Sequence, residues 1–322
     1  MDTEFMFEGQ RAIADPIVDA QLSMDPMVTS LVLGQPQFAP MPGEMLLPTI
    51  LTDAWVFKYQ QYNNEHLQDY DTKRPMRAPI KHGDWKAQTL PGSLERYSFR
   101  ILKDQDELNN AYPTLSMRQK SAELARRIVR MDIEREIRDL VSANASYSIN
   151  TAIAGGSEWN AASGDSKTNI RAATLALSAA TGLMPSDFTV YLPLASLEAA
   201  KDDPVLKAIR ANYTTDISDE SLLTSYWGVR RVWSANPVEE IAGTVVPMYN
   251  DIAVIYYEGG ATNLDTTYGT LTWAVNFSWN RGVATAAYYD NTHTSWSFPW
   301  NDYAMPTVIN TACAAKLTNC AA

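Results

Sequence analysis

The sequence predicts an α+β fold organised around one long helix. Three observations carry that prediction. Residues 113–144 hold no Gly or Pro after Pro113 and are rich in good helix formers. Two short stretches, 52–62 and 95–102, alternate with a period of two, and residues 269–300 are dense in aromatic and β-branched residues. Between them, residues 151–285 run helix, strand, helix, strand, strand, an α/β texture without a repeat.

The helix comes first because the rest attaches to it. Pro113 suits a first helical turn, where a missing N–H costs nothing. Glu123–Arg127, Arg130–Glu134, Glu134–Arg138 and Arg135–Asp139 stand at ion-pair spacing, so the carboxylates are expected to be solvated partners of the arginines. At about 1.5 Å per residue the rod is roughly 45 Å long. Met117, Leu124, Ile128 and Met131 share one face, and Ile133, Ile137, Leu140 and Val141 lie roughly opposite. That pattern predicts a spine whose buried side switches midway, bridging two substructures.

Residues 1–50 read as an extended arm. They hold Pro16, Pro26, Pro36, Pro40, Pro42 and Pro48, no lysine, and Arg11 as the single base against seven acids. Phe5, Phe7, Ile17, Val28 and Phe38 are more apolar residues than a disordered tail carries. Phe5, Phe7, Asp15, Asp19 and Asp25 are therefore candidate contacts with another surface. Residues 52–102 read as a long two-stranded flap. Trp55, Phe57 and Tyr59 line one face of its first strand, and Tyr97, Phe99 and Ile101 alternate with Arg96, Ser98 and Arg100 in its second. The excursion between them is basic, with Lys73, Arg74, Arg77, Lys81, Trp85 and Lys86 as candidate contacts. Loops this long are uncommon unless functional, and an isolated two-stranded hairpin is marginal, so the flap needs a support. A neighbour's acidic arm or nucleic acid would complement it.

Beyond the rod, Asp165 or Ser166 can cap a helix over 166–181 with Ile170, Ala173, Leu177 and Ala180 as its stripe, and Gly182 can end it. MPSDFTVYLP reads as a turn and a buried strand. Residues 194–200 read as a short helix closed by Asp203-Pro204. Residues 228–235 and 251–257 are strand candidates, and residues 307–322 read as an Ala-rich tail.

Composition narrows the function. An apolar content of 46% marks a folded chain, and no apolar run is long enough to span a membrane. The acidic start, MDTEFMFEGQ, is not a secretory signal. A formal charge of −11 argues against nucleic-acid or anionic-membrane binding by the whole surface. Cys313 and Cys320 are too sparse for a zinc site or a disulfide framework; free thiols are the expectation and a late disulfide the alternative. Gly164-Asp165-Ser166 with Asp290-Asn291-Thr292-His293 resembles the nucleophile and acid–base blocks of GDSL-type hydrolases, but WNAAS stands where a hydrophobic strand should precede the serine. Phosphate-loop, dinucleotide and zinc-protease motifs are absent from the sequence, and no catalytic residue, cofactor or metal is expected.

Over residues 159–209 the chain resembles the major capsid proteins of tailed bacteriophages, the Hong Kong-type fold that encapsulins share. The resemblance rests on Trp159, Asp165, Ile170, the Gly182-Leu183-Met184-Pro185 turn, the strand over 188–192 and Asp202-Asp203-Pro204-Val205. It departs from the family at the two-residue Gly–Pro spacing, at Ser166 and at Ser186. The phage major capsid fold then implies an N-arm at 1–50, an extended E-loop at 51–105, a peripheral (P) domain with the spine helix at 106–150, an axial (A) domain at 151–285, and P-domain return strands with a tail at 286–322. It implies self-assembly as pentamers and hexamers into an icosahedral shell, in a virion assembled in the host cytoplasm. The shell would enclose double-stranded DNA without sequence-specific binding, beside a portal and, in some members, a cement or decoration protein. About 50 residues before the E-loop are too few for a fused scaffold, so scaffolding is expected to be a separate protein or absent. An encapsulin-type compartment is the alternative.

Overall fold

The computed structural model describes residues 41–61, 73, 88–110, 114–210, 219–259, 272–279, 283–284 and 287–321. In chain order, α1 (Pro42–Leu46) and β1 (Thr49–Leu51) lead to a hairpin of β2 (Val56–Gln61) and β3 (Gln88–Ser93). β4 (Glu95–Asp104), α2 (Gln105–Asn110) and the long α3 (Thr114–Ser142) follow. Then come β5 (Ile149–Ala152), α4 (Ser166–Thr181), β6 (Phe188–Leu192), α5 (Leu194–Lys201), α6 (Pro204–Arg210), α7 (Asp219–Trp227) and β7 (Arg231–Ser234). The chain continues through β8 (Val238–Ile241), β9 (Thr244–Pro247), β10 (Ile252–Tyr257), β11 (Ala274–Ser278), β12 (Val283–Ala284), β13 (Tyr288–Asp290), β14 (Ser295–Val308) and β15 (Ala314–Thr318).

Two sheets flank α3. In the six-stranded sheet β14 is the hub: β4 runs antiparallel along one edge, and β13, β12 and β11 pair in turn along the other, with β1 parallel beyond β11. The five-stranded sheet has the order β5-β15-β10-β6-β7, with β10 antiparallel to both neighbours and the outer pairs parallel. Every residue of β6 is buried, because α4, α5 and α7 cover one face of this sheet and α3 with α1 the other. A strand covered on both sides reads as a continuous apolar run, which is why FTVYL shows no alternation.

The spine helix forms where expected, but its packing corrects the sequence reading. Ile133, Ile137 and Val141 are buried as anticipated, whereas the amino-terminal half is buried through Ala122, Ala125 and Val129. Leu124 is 48% exposed, and Met117, Ile128 and Met131 are half-buried. The stripe is continuous at spacings of three and four residues, so the buried side does not jump to the opposite face. Small residues face β4 and β14 because the helix lies close on the sheet there, and Trp300 fills the space.

Four further readings differ from expectation. β2 pairs with β3, from Val56 opposite Ser93 to Gln61 opposite Gln88, and not with the 95–102 strand, which belongs to the six-stranded sheet. β3 contains Pro91 and Gly92, residues that ordinarily break strands. Gly92 is required there because an added Cβ would lie 2.8 Å from the Phe57 ring. The carboxy-terminal stretch is no tail: β15 lies between β5 and β10, inside the five-stranded sheet. α4 spans the expected residues, with Asp165 accepting from the Thr168 N–H and Gly182 in the left-handed conformation at its end. Its buried stripe includes Thr174 and Thr181, while Ala180 is exposed. Asp203-Pro204 opens α6 instead of closing a helix: the Asp203 carboxylate accepts from the Val205 N–H at 2.8 Å.

Candidate functional site

The places where segments of the chain are rooted on the core carry the functional reading. The amino-terminal segment and the hairpin over 238–247 are rooted on α3, and the β2–β3 hairpin on the six-stranded sheet. The first root is the end of the amino-terminal segment. Leu46 and Leu47 are fully buried against α3, and the Glu134 carboxylate accepts the Gly43 N–H with both oxygens, at 2.9 and 3.0 Å. The Tyr249 hydroxyl donates to the same carboxylate at 2.8 Å. Arg130 pairs with Glu44 one turn away. A Cβ at position 43 would stand 2.4 Å from Glu134 Oε2, so only glycine admits this approach. Burial pushes the Glu134 carboxyl above the usual carboxylate range, against the opposing hydrogen bonds from Tyr249 and Gly43. The expected solvated Arg130–Glu134 and Glu134–Arg138 pairs are thereby corrected: Glu134 is an inward-facing acceptor. Its spacing of three and seven residues from Ile137 and Val141 was the available signal.

The second root belongs to the β2–β3 hairpin. Trp55 stacks on Tyr303 at 5.2 Å between centroids and meets Trp279 edge-on at 5.7 Å. Phe57 and Tyr59 pack on Phe277 of β11. The hairpin thus gains from the six-stranded sheet the support that an isolated pair of strands lacks. The third root is the β8–β9 hairpin, which sequence reasoning missed. Its buried Glu239 bridges Arg135 and Arg138 on the spine, leaving Val238 and Val245 exposed on the outer side. At the end of the spine, Lys316 Nζ donates to the Ser142 carbonyl and to Asn144 Oδ1, both at 2.7 Å. A cation there satisfies carbonyls at the negative end of the helix dipole and ties β15 to α3.

Most of the sequence-derived contact candidates lie outside the described residues: Phe5, Phe7, Asp15, Asp19 and Asp25 of the arm, and Arg74, Arg77, Lys81, Trp85 and Lys86 of the flap. Lys73 is described and exposed. The hydrolase grouping is not brought together. Ser166 is fully buried, its hydroxyl donating to Asp203 and accepting from Trp227 Nε1 at 3.2 Å. Asp290 and His293 do pair, at 2.9 Å, but in the turn joining β13 to β14 of the other sheet, where Arg100 also holds Asp290 at 3.0 Å. Hydrogen bonds from His293 and the Thr292 N–H hold the Asp290 carboxyl below the usual carboxylate range. Cys313 and Cys320 are free thiols in two different core clusters, so the disulfide alternative is not realised. Burial pushes the Cys313 thiol up to about 12 and raises Cys320 as well. Among the described residues, no cluster of three or more His, Cys, Asp or Glu side chains could hold a metal, and no helix is long and apolar enough to cross a membrane.

No protein-family model matches the chain, and no curated protein matches it in sequence. Solved structures do match. A phage-related protein from Bordetella bronchiseptica RB50 is similar at a TM-score of 0.72 and 17% identity, covering 92% of this chain and 97% of that one. The capsid of Cyanophage P-SCSP1u is similar at 0.53 and 10% identity, over 88% of this chain and 90% of that one. The holo-SrpI encapsulin complex from Synechococcus elongatus PCC 7942 is similar at 0.50 and 12% identity, over 88% and 90%. The chain has the mixed helix-and-strand fold that these phage and encapsulin proteins share.

Proposed function

We propose that this chain is the structural subunit of a protein shell, the major capsid protein of a tailed bacteriophage with the Hong Kong-type layout. The observation that carries the reading is the overlap of nearly the whole chain, in both directions, with a phage capsid subunit. The rooted projections support it. A monomer has no use for an arm rooted on the spine helix and a flap rooted on the six-stranded sheet, whereas a shell uses them to reach neighbours. On this reading residues 1–50 are the N-arm, 51–105 the E-loop, and 151–285 the bulk of the A domain. Subunits form pentamers and hexamers, and the arm and E-loop tie them into an icosahedral head assembled in the host cytoplasm. A separate scaffolding protein, a portal and in some heads a cement protein complete the particle. The net charge of −11 suits a wall that confines DNA without sticking to it. The protein's role is assembly, and no reaction is assigned to it.

The test is recovery of particles from cells expressing the full chain, followed by analysis of their contents. Closed shells that hold nuclease-protected nucleic acid when the phage partners are supplied support the capsid. A defined protein cargo turns the assignment to the second reading, an encapsulin-type compartment, which the encapsulin likeness favours. A chain that stays monomeric with scaffolding protein present overturns both. Charge reversal at Lys73, Arg74 and Arg77 is expected to lower shell stability in denaturant more than that of dispersed capsomers; equal effects would remove the basic flap from the contacts.

A further inference from the structure

Among the described residues, exposed large apolar side chains cluster along the chain in two places. Leu51, Trp55 and Val56 stand at the foot of the β2–β3 hairpin, and Val238, Ile241 and Val245 on the β8–β9 hairpin. Both hairpins are held to the rest of the chain by their inner faces. Phe57 and Tyr59 pack on Phe277, and the buried Glu239 bridges Arg135 and Arg138. A pair of strands covered on one side ordinarily turns polar residues to the other. These two do not. In β8–β9, Val238 pairs with Pro247 and Glu240 with Val245, so the outer face sets one acid among valines and a proline. In β2–β3, Val56 pairs with Ser93 and Lys58 with Pro91, so the foot of the outer face sets one base beside a valine, a proline and a serine. All of these residues are exposed, Val56 at 72% and Val245 at 65%. The two faces therefore do not cover each other within one chain.

We infer that the outer face of β8–β9 receives the outer face of β2–β3 from a second copy of the chain. Charge selects the occupant. Among the described residues neither Lys58 nor Glu240 has an ion-pair partner in its own chain. A β8–β9 face packed on its own kind would bury two acids without a base, and a β2–β3 face on its own kind two bases without an acid, whatever the register. The mixed pair buries one of each among valines and prolines, and it leaves no charge uncompensated. Small sheets stacked face to face lie about 10 Å apart, a gap that Lys58 and Glu240 can span from opposite sides. The contact is heterologous. Each copy offers one hairpin and receives the other, so copies follow head to tail and close into a ring when the rotation allows. The two faces are small beside the roughly 20–30 residues a side of a stable interface, so this contact adds to others in a closed ring and does not hold a dimer by itself. It rests on the shell reading and gives the flap a receiving surface within it.

The test uses the full chain, assembled with its phage partners. A carbodiimide, which joins an amine directly to a carboxylate, should link Lys58 to Glu240 in assembled material. Mixing isotope-labelled with unlabelled chains shows by mass spectrometry that the linked peptides come from different copies. K58E and E240K should each lower the yield of assembled material at least tenfold, with the melting of the dispersed subunit unchanged because both side chains are exposed. K58E combined with E240K should restore the yield. V245D, which leaves both charges in place, should lower it as the single exchanges do. Assembly indifferent to K58E and E240K, loss without restoration in the double exchange, or a Lys58–Glu240 link found only within one copy overturns the contact. The two readings fail separately. Closed particles that lack the link and tolerate K58E sink the contact and leave the shell. Linked open chains that never close support the contact and remove the shell. A chain that stays dispersed and unlinked removes both.

Discussion

At β7 the five-stranded sheet is closed by side chains of its own chain, whereas among the described residues no further strand lies beyond β4 of the six-stranded sheet. The first has helices or the spine on both faces and a side-chain seal along β7. The second has α3 on one face, the β2–β3 hairpin over part of the other, and β4 as its outermost strand among the described residues. The difference separates two kinds of stability. The five-stranded half should hold as a free subunit, while the six-stranded half carries the surfaces that a neighbour would complete.

The contrast can be broken at several strengths. Phe188→Ala, in the doubly covered sheet, is expected to cost about 3–5 kcal/mol in urea unfolding, because the cavity has no route to solvent or collapse. A loss under about 1 kcal/mol would mean that this sheet is not the rigid half. Glu134→Ala should cost about 2–4 kcal/mol, since it strands the buried Gly43 N–H and Tyr249 hydroxyl together. Limited proteolysis should then cut near α1 first. Trp55→Ala, at the half-exposed root of the flap, should cost about 1–2 kcal/mol.

Acid gives a sharper test of the spine contacts. Asp302 on β14 has its carboxyl raised by burial to about 6 from 3.8, with Arg130 and Arg126 opposing the rise. The folded state therefore takes up the proton more readily than the unfolded chain. This group's unfavourable contribution is full above about pH 6, shrinks as pH falls toward 4, and is constant below that. Thermal stability of the wild type should thus gain relative to D302N across that window, by on the order of 1 kcal/mol. Parallel pH profiles would show that Asp302 is solvated. The smallest effect belongs to the outermost strand: Phe99→Ser should change the stability of the dispersed subunit by no more than about 0.5 kcal/mol, whatever it does to association.

How far the sequence disclosed this arrangement follows from where its signals are strong. The spine, α4 with its Asp165 cap and Gly182 end, and the apolar run of β6 were legible because propensity, capping and burial agree at each. β15 was hidden because Ala314, Ala315 and Lys316 carry no strand signal, and its place comes entirely from β5 and β10 on either side. The amino-terminal face of the spine was misread because Ala122 and Ala125 contribute little apolar signal, while Leu124 looks like core but is exposed and Ile128 is only half-buried. β3 was lost to Pro91 and Gly92. The arm and the basic flap are contact expectations from composition, and apart from Lys73 their candidate residues lie outside the described residues. Their anchors, Gly43 on Glu134 and Trp55 on Tyr303, depend on contacts between distant parts of the chain that no local pattern reports.

Hydrogen exchange, compared between dispersed subunits and assembled particles of the same chain, tests the division between the two sheets most directly. The account predicts that β6 and β10 amides are protected in both states, and that the alternate β4 amides facing away from β14 exchange in the dispersed subunit and become protected on assembly. New protection confined to the five-stranded sheet, with β4 unchanged, would contradict it.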